Sequence, residues 1–95
     1  MAGRVSVKSE ALHPMGFVQI TILTSATALT VPSNADSAIV IPTNKVNWRD
    51  DGTAPTSTVG MPLLADLTLH YDGDLGSVRF IQASGSAALN VSFYR

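Results

Sequence analysis

Histidine occurs twice, at His13 and His70, and glutamate once, at Glu10; the other acidic residues are aspartates. His70 stands before Tyr71 and the run Asp72-Gly73-Asp74. An imidazole beside two carboxylates could ligate a metal or accept a proton. The same run begins like an acidic calcium loop, which also needs an oxygen ligand at its fifth position and a bidentate Glu at its twelfth. Counted from Asp72, those positions hold Gly76 and Ala83, and neither has a side-chain oxygen. His70 therefore reads as an exposed strand histidine ahead of a hairpin turn. Asp50 and Asp51 are neighbours, so on an extended chain they face opposite ways. Asp50 with Asp72 could form the paired carboxylates of a glycosidase, but nothing in the spacing selects that pair. Ser84 has Gln82 and Ser86 where a Gly-x-Ser-x-Gly elbow needs glycines. A Gly-rich phosphate loop carrying Lys is also missing. The expectation is a protein that is not an enzyme, with no metal and no cofactor.

Trp48, Tyr71 and Tyr94 could form a platform on which a sugar ring stacks, as in a carbohydrate-binding module. The competing reading is that Trp48, which shares a face with Val46, anchors the core through its large buried area. The core reading is favoured. Tyr94, one residue from the end of the sequence, suits a subunit contact or a strand edge.

The elements that carry these residues are strands. Val18, Ile20 and Ile22 alternate with Gln19 and Thr21; Val78 and Phe80 alternate with Ser77 and Arg79. Leu89, Val91 and Phe93 alternate with Asn90, Ser92 and Tyr94. A period of two is what a half-buried antiparallel strand requires. Ala38-Ile39-Val40-Ile41 is apolar on both faces and reads as a central strand. No sustained helical period occurs. The expected strands are 3–8, 17–23, 27–31, 37–41, 45–49, 61–64, 66–71, 77–82 and 87–94. Turn residues separate them, among them His13-Pro14-Met15-Gly16, Pro42-Thr43-Asn44 and Ser84-Gly85-Ser86. Short strands at this spacing predict an all-β domain, a single antiparallel β-sandwich with jelly-roll-like connections; a small β-barrel is the near alternative. It spans 1–95, with 1–15 as an extended arm or edge strand. Val18, Ile20, Ile22, Ile39, Ile41, Val46, Trp48, Leu69, Val78, Phe80, Leu89, Val91 and Phe93 are the expected interior. The longest irregular stretch, 50–60, is the expected functional surface, since loops on a rigid scaffold carry contacts.

Composition narrows the function further. The chain has 95 residues, 45% of them hydrophobic and only 14% charged, with a net charge of −1. That balance argues against disorder, and against nucleic-acid binding, which needs clustered Lys and Arg. With no cysteine, disulfides, thiol catalysis and cysteine metal sites are excluded. No stretch approaches the roughly 20 apolar residues of a membrane span, and the polar first residues do not read as a secretion signal. The expected site of synthesis is a cytoplasm. A small core without staples also favours self-association.

Two stretches carry a resemblance. One is Trp48-Arg49-Asp50-Asp51-Gly52-Thr53-Ala54-Pro55-Thr56 with Val59-Gly60-Met61. The other runs Tyr71-Asp72-Gly73-Asp74-Leu75, Val78-Arg79-Phe80-Ile81, Ser84-Gly85 and Leu89-Asn90-Val91-Ser92-Phe93-Tyr94. Together they resemble small structural proteins of tailed bacteriophages and prophages, from about Ile20 to the C-terminus. The resemblance implies a virion component assembled in the host cytoplasm, with capsid decoration ahead of a head-fibre or tail-joint role. Its implied partners are the major capsid protein, or fibre and tail components, and copies of itself, a trimer first. Host glycan is a further partner to consider. The expected contact surface comprises Trp48, Arg49, Asp50, Asp51, Pro55 and Met61, because Arg, Trp and Met are enriched at interfaces.

Overall fold

A computed structural model of the chain describes residues 13–95. It contains β1 (Pro14–Ile20), β2 (Thr27–Ala28), β3 (Ser37–Pro42), β4 (Val46–Arg49), β5 (Met61–Leu63), β6 (Leu69–Tyr71), β7 (Arg79–Gln82) and β8 (Leu89–Tyr94). They form two four-stranded sheets in the orders β1-β8-β3-β6 and β2-β7-β4-β5. Every pairing is antiparallel.

The pairs β4·β5, β3·β6, β2·β7 and β1·β8 are nested one inside the next. The chain is thus one long hairpin with its turn between β4 and β5. Wrapping it into two layers brings β3 beside β8 and β4 beside β7. That is the jelly roll, with the two sheets packed face to face. The expected fold class holds, and β3 is a central strand as its composition implied.

The core lies between the sheets. Phe80, Phe93, Leu23, Leu89, Val40, Val46, Val78 and Val91 are fully buried, and Leu29, Leu63 and Leu75 are nearly so. Strand β8 alternates strictly, with Leu89, Val91 and Phe93 inward and Asn90, Ser92 and Tyr94 outward. Each inward side chain stabilises the domain by about 1.5–3 kcal/mol relative to its exposed state. Half-buried Val18, Ile20, Trp48 and Leu69 pack on the margin of this core.

Three expected interior residues lie elsewhere. Ile22 is 71% exposed, because β1 ends at Ile20 and the chain leaves the sheet before Leu23 turns inward. Ile39 and Ile41 occupy the outer face of β3, half-buried, while Ala38, Val40 and Pro42 face the core. A strand apolar on both faces gives the period no phase, and Ala38 is selected where β3 faces the filled centre of the sandwich.

Several boundaries move as well. The turn expected over His13–Gly16 is instead the start of β1. Pro14 pairs with Tyr94 and Gly16 with Phe93, so Met15 is the extra residue of a bulge. Gly16, at φ 148°, adopts the backbone the bulge needs. The strand expected at 27–31 is only Thr27–Ala28, and that at 66–71 begins at Leu69. The strand expected at 3–8, and most of the arm expected over 1–15, lie outside the described residues.

Candidate functional site

Loop 50–60 closes the innermost hairpin, between β4 and β5. It does not project freely. Asn47, on the outer face of β4, is only 5% exposed. Its Nδ2 donates to the carbonyl of Thr56 at 3.0 Å. The loop therefore folds back over its own sheet. Within it, Thr56 N donates to the Val59 carbonyl at 2.9 Å, and Val59 N returns a bond to the Thr56 carbonyl at 3.3 Å. The Thr56 hydroxyl oxygen accepts from Thr58 N at 3.3 Å and Val59 N at 3.0 Å. A Ser/Thr hydroxyl commonly ties a turn in this way. Gly60, at φ 151°, brings the chain back to β5. A Cβ there would lie 3.0 Å from Asn47 Cβ and 3.2 Å from the Trp48 carbonyl.

The base of the loop carries its charges. Arg49 Nε donates to Asp51 Oδ1 at 3.1 Å, and Arg49 Nη2 donates to Asp51 Oδ2. The fork engages the carboxylate with two nitrogens, a geometry guanidinium is built for. The bond holds the Asp51 carboxyl below its ordinary range and raises the Arg49 guanidinium above its own. Thr53 N adds a third donor to Asp51 at 3.3 Å. Asp50, the neighbouring acid, turns the other way and accepts from Tyr71 Oη at 2.7 Å. Tyr71 is buried, and desolvation together with the Asp50 carboxylate pushes its phenol up to about 12. The two adjacent aspartates thus have separate structural partners.

Arg49, Asp50, Asp51, Val59, Gly60 and Met61 line an open concavity of about 410 Å³. This brings together Arg49, Asp50, Asp51 and Met61 from the expected contact surface. Met61 is 57% exposed and sits opposite Trp48 on β5. Two expected members have a different part. Pro55 is buried and lies under the loop beside Gly60, so it supports the surface without forming it. Trp48 is half-buried against the core. Val59, exposed at the rim, is a member that residue-by-residue reasoning passed over. The signal for it was an apolar side chain isolated in a polar loop.

The aromatic residues do not make a platform. Trp48 and Tyr71 meet edge to face, their ring centroids 5.9 Å apart and their planes at 77°. Tyr94 lies on the outer face of the sheet whose inner face holds Tyr71, opposite Pro14 and Ser37 and away from Trp48 in the other sheet. His70 is exposed at edge strand β6, as expected. Asp74, four residues further on, is occupied locally, accepting from Gly76 N at 3.1 Å and Ser77 Oγ at 2.8 Å. Among the described residues, no three His, Cys, Asp or Glu side chains gather where they could hold a metal. The charged groups that are ordered here fasten loops, and the exposed groups around them offer contact by shape, one ion pair and two apolar side chains.

No family model matches this chain, and neither do curated proteins or solved structures.

Proposed function

We propose that this chain is a non-enzymatic structural protein of a tailed-phage virion, most simply one that decorates the capsid and cements neighbouring subunits. One observation carries the reading. The stretch that resembles phage structural proteins, Trp48 to Met61, forms a self-fastened surface at the turn of the wrapped hairpin. It is tied by Asn47 and Thr56, by the Arg49–Asp51 pair and by the Tyr71–Asp50 bond. Its free groups are Val59 and Met61. A rigid loop loses little entropy on docking, and apolar groups with a polar rim are the usual make-up of a protein contact. Repetition on a symmetric shell would let a modest contact hold through avidity. In this reading the partner is another virion protein, the chain associates with itself, and assembly takes place in the host cytoplasm.

The test is to locate and count the protein in purified particles. Hundreds of copies per particle mean decoration, whereas about three to twelve mean a head-fibre or tail joint at a symmetry axis. Incorporation should fall for Met61→Lys with Val59→Lys while the isolated variant still folds. Absence from mature particles defeats the proposal.

A further inference from the structure

The two sheets expose four edge strands among the described residues: β1 and β6 in one, β2 and β5 in the other. An edge strand presents unpaired backbone groups, and natural domains blunt it by shortening it, bulging it or placing charge on it. Shortness protects three of the four here. Strand β2 has two residues, β5 three and β6 three. Strand β1 has seven, Pro14-Met15-Gly16-Phe17-Val18-Gln19-Ile20, and is the longest strand of the described fold. Its proline and its bulge protect only the first turnward end. From Phe17 to Ile20 the pairing with β8 is regular, so the opposite edge is regular too. The strand carries no charged residue, and neither do Thr21 and Ile22 after it. Phe17 is 64% exposed and Ile22 71%. Both large apolar groups therefore sit on or just beyond the one long edge that carries no protection among the described residues.

We infer that β1 pairs antiparallel with β1 of a second copy, joining two four-stranded sheets into one continuous eight-stranded sheet. The occupant follows from the chemistry of the edge. A matching strand must be extended, uncharged, and apolar on one face, and it must itself have a free edge. Strand β1 of another copy meets all four conditions, its free edge being that of the described residues. Antiparallel pairing that keeps both cores on the same side of the joined sheet requires one residue to face itself across a two-fold axis. That residue is Val18 or Gln19. With Val18 on the axis, Phe17 faces Gln19; with Gln19 on the axis, Phe17 faces Thr21 and Val18 faces Ile20. No charge meets a like charge in either register, and Phe17 gains a cross-strand neighbour. An isologous contact of this kind closes at two copies, so it selects a dimer over the trimer expected from the resemblance. The inference stands on the edge geometry and is independent of the virion reading.

Sedimentation equilibrium of the full chain tests it, with expected mass twice the 10.0 kDa of one chain. Phe17→Lys with Gln19→Lys places like charges across the two-fold and should raise the dissociation constant at least about tenfold. Both side chains are exposed, so the circular dichroism spectrum should be unchanged. Because the chain has no cysteine, Gln19→Cys provides a single thiol independent of that variant. It should cross-link to its counterpart through a short bifunctional maleimide, and His70→Cys, on the far edge of the same sheet, should not. A wild-type chain that stays at 10.0 kDa at high micromolar concentration overturns the inference. So does a trimer, and so does a dimer that cross-links through His70→Cys but not Gln19→Cys. A single-chain species with slow amide exchange across Phe17–Ile20 on both sides would place the chain's own residues 1–12 on this edge, and also overturns it.

Discussion

Tyr71→Phe removes one oxygen and leaves the ring in place, so it isolates the bond that ties β6 to the candidate site. In the native chain the hydroxyl donates to Asp50 at 2.7 Å and makes only a marginal second contact, 3.4 Å, to the Asp74 carbonyl. A hydrogen bond to a charged acceptor contributes about 1.5–3 kcal/mol, but Asp50 is itself exposed, so about 1 kcal/mol is the expected loss near neutral pH. For a domain of this size that lowers the melting temperature by about 4–8 °C. The pH dependence is the sharper test. The phenol is raised from 10.0 to about 12 in the fold, so the folded state holds this proton more tightly than the unfolded chain. Its contribution is complete below pH 10 and is lost as pH rises toward 12. A difference of that size corresponds to at most about 2.7 kcal/mol, and screening at the exposed partner reduces it to roughly half. Urea unfolding of both proteins from pH 7 to 12 reads the result. The wild type should begin as the more stable protein, and the two stabilities should converge between pH 10 and 12. Equal stability at pH 7, or a difference that stays constant up to pH 12, would refute the role given to this bond.

Asn47→Ala should cost about 1–2 kcal/mol and should speed amide exchange and proteolysis within 50–60, because the Thr56 carbonyl loses its anchor. Gly60→Ala forces a Cβ into the 3.0 Å gap beside Asn47 at a φ of 151°, with an expected cost of about 1–3 kcal/mol, read by thermal unfolding. Phe80→Ala empties a fully buried position and should cost about 3–5 kcal/mol, a large share of the total for a domain of this size. Ile22→Ser, at a position expected to be interior but found exposed, should change stability by less than about 0.5 kcal/mol.

The fold was legible wherever one face of a strand was polar. Leu89, Val91 and Phe93 alternate with Asn90, Ser92 and Tyr94, and their burial follows that pattern residue by residue. Strand β3 was legible as a strand but not in phase, because Ala38, Ile39, Val40 and Ile41 are all apolar and the sheet alone decides which pair faces inward. Pro14 and Gly16 are turn residues by chemistry, yet β8 was there to pair with them, and the bulge absorbed the extra Met15. The extent of loop 50–60 could be read from its Asp, Gly, Pro and Thr content. The ties that hold it could not. Asn47 looks solvent-facing from its strand position and is buried only because the loop returns over it. Asp50 and Tyr71 are twenty-one residues apart, and nothing local links them. Pro55 looked like part of an exposed surface for the same reason, since its burial depends on where Gly60 sends the chain.

The nested order of the strand pairs also sets a sequence of events in time. Strands β4 and β5 are separated only by loop 50–60, so their contact closes the shortest loop and carries the smallest entropic cost. Each pair outward, β3·β6, β2·β7 and then β1·β8, must close a longer one, and a fold dominated by such distant pairings forms in milliseconds to seconds. The loop with the Arg49–Asp51 and Asn47–Thr56 bonds is therefore the natural starting point from which the wrapped hairpin zips. Substitutions there should act mainly on the folding rate, whereas those in β1 and β8 should act mainly on unfolding. On this order β1, which closes the longest loop, is expected to be laid down last. Until it arrives, the central strand β8 has a bare flank of its own, and the chain is then most exposed to pairing with the wrong neighbour.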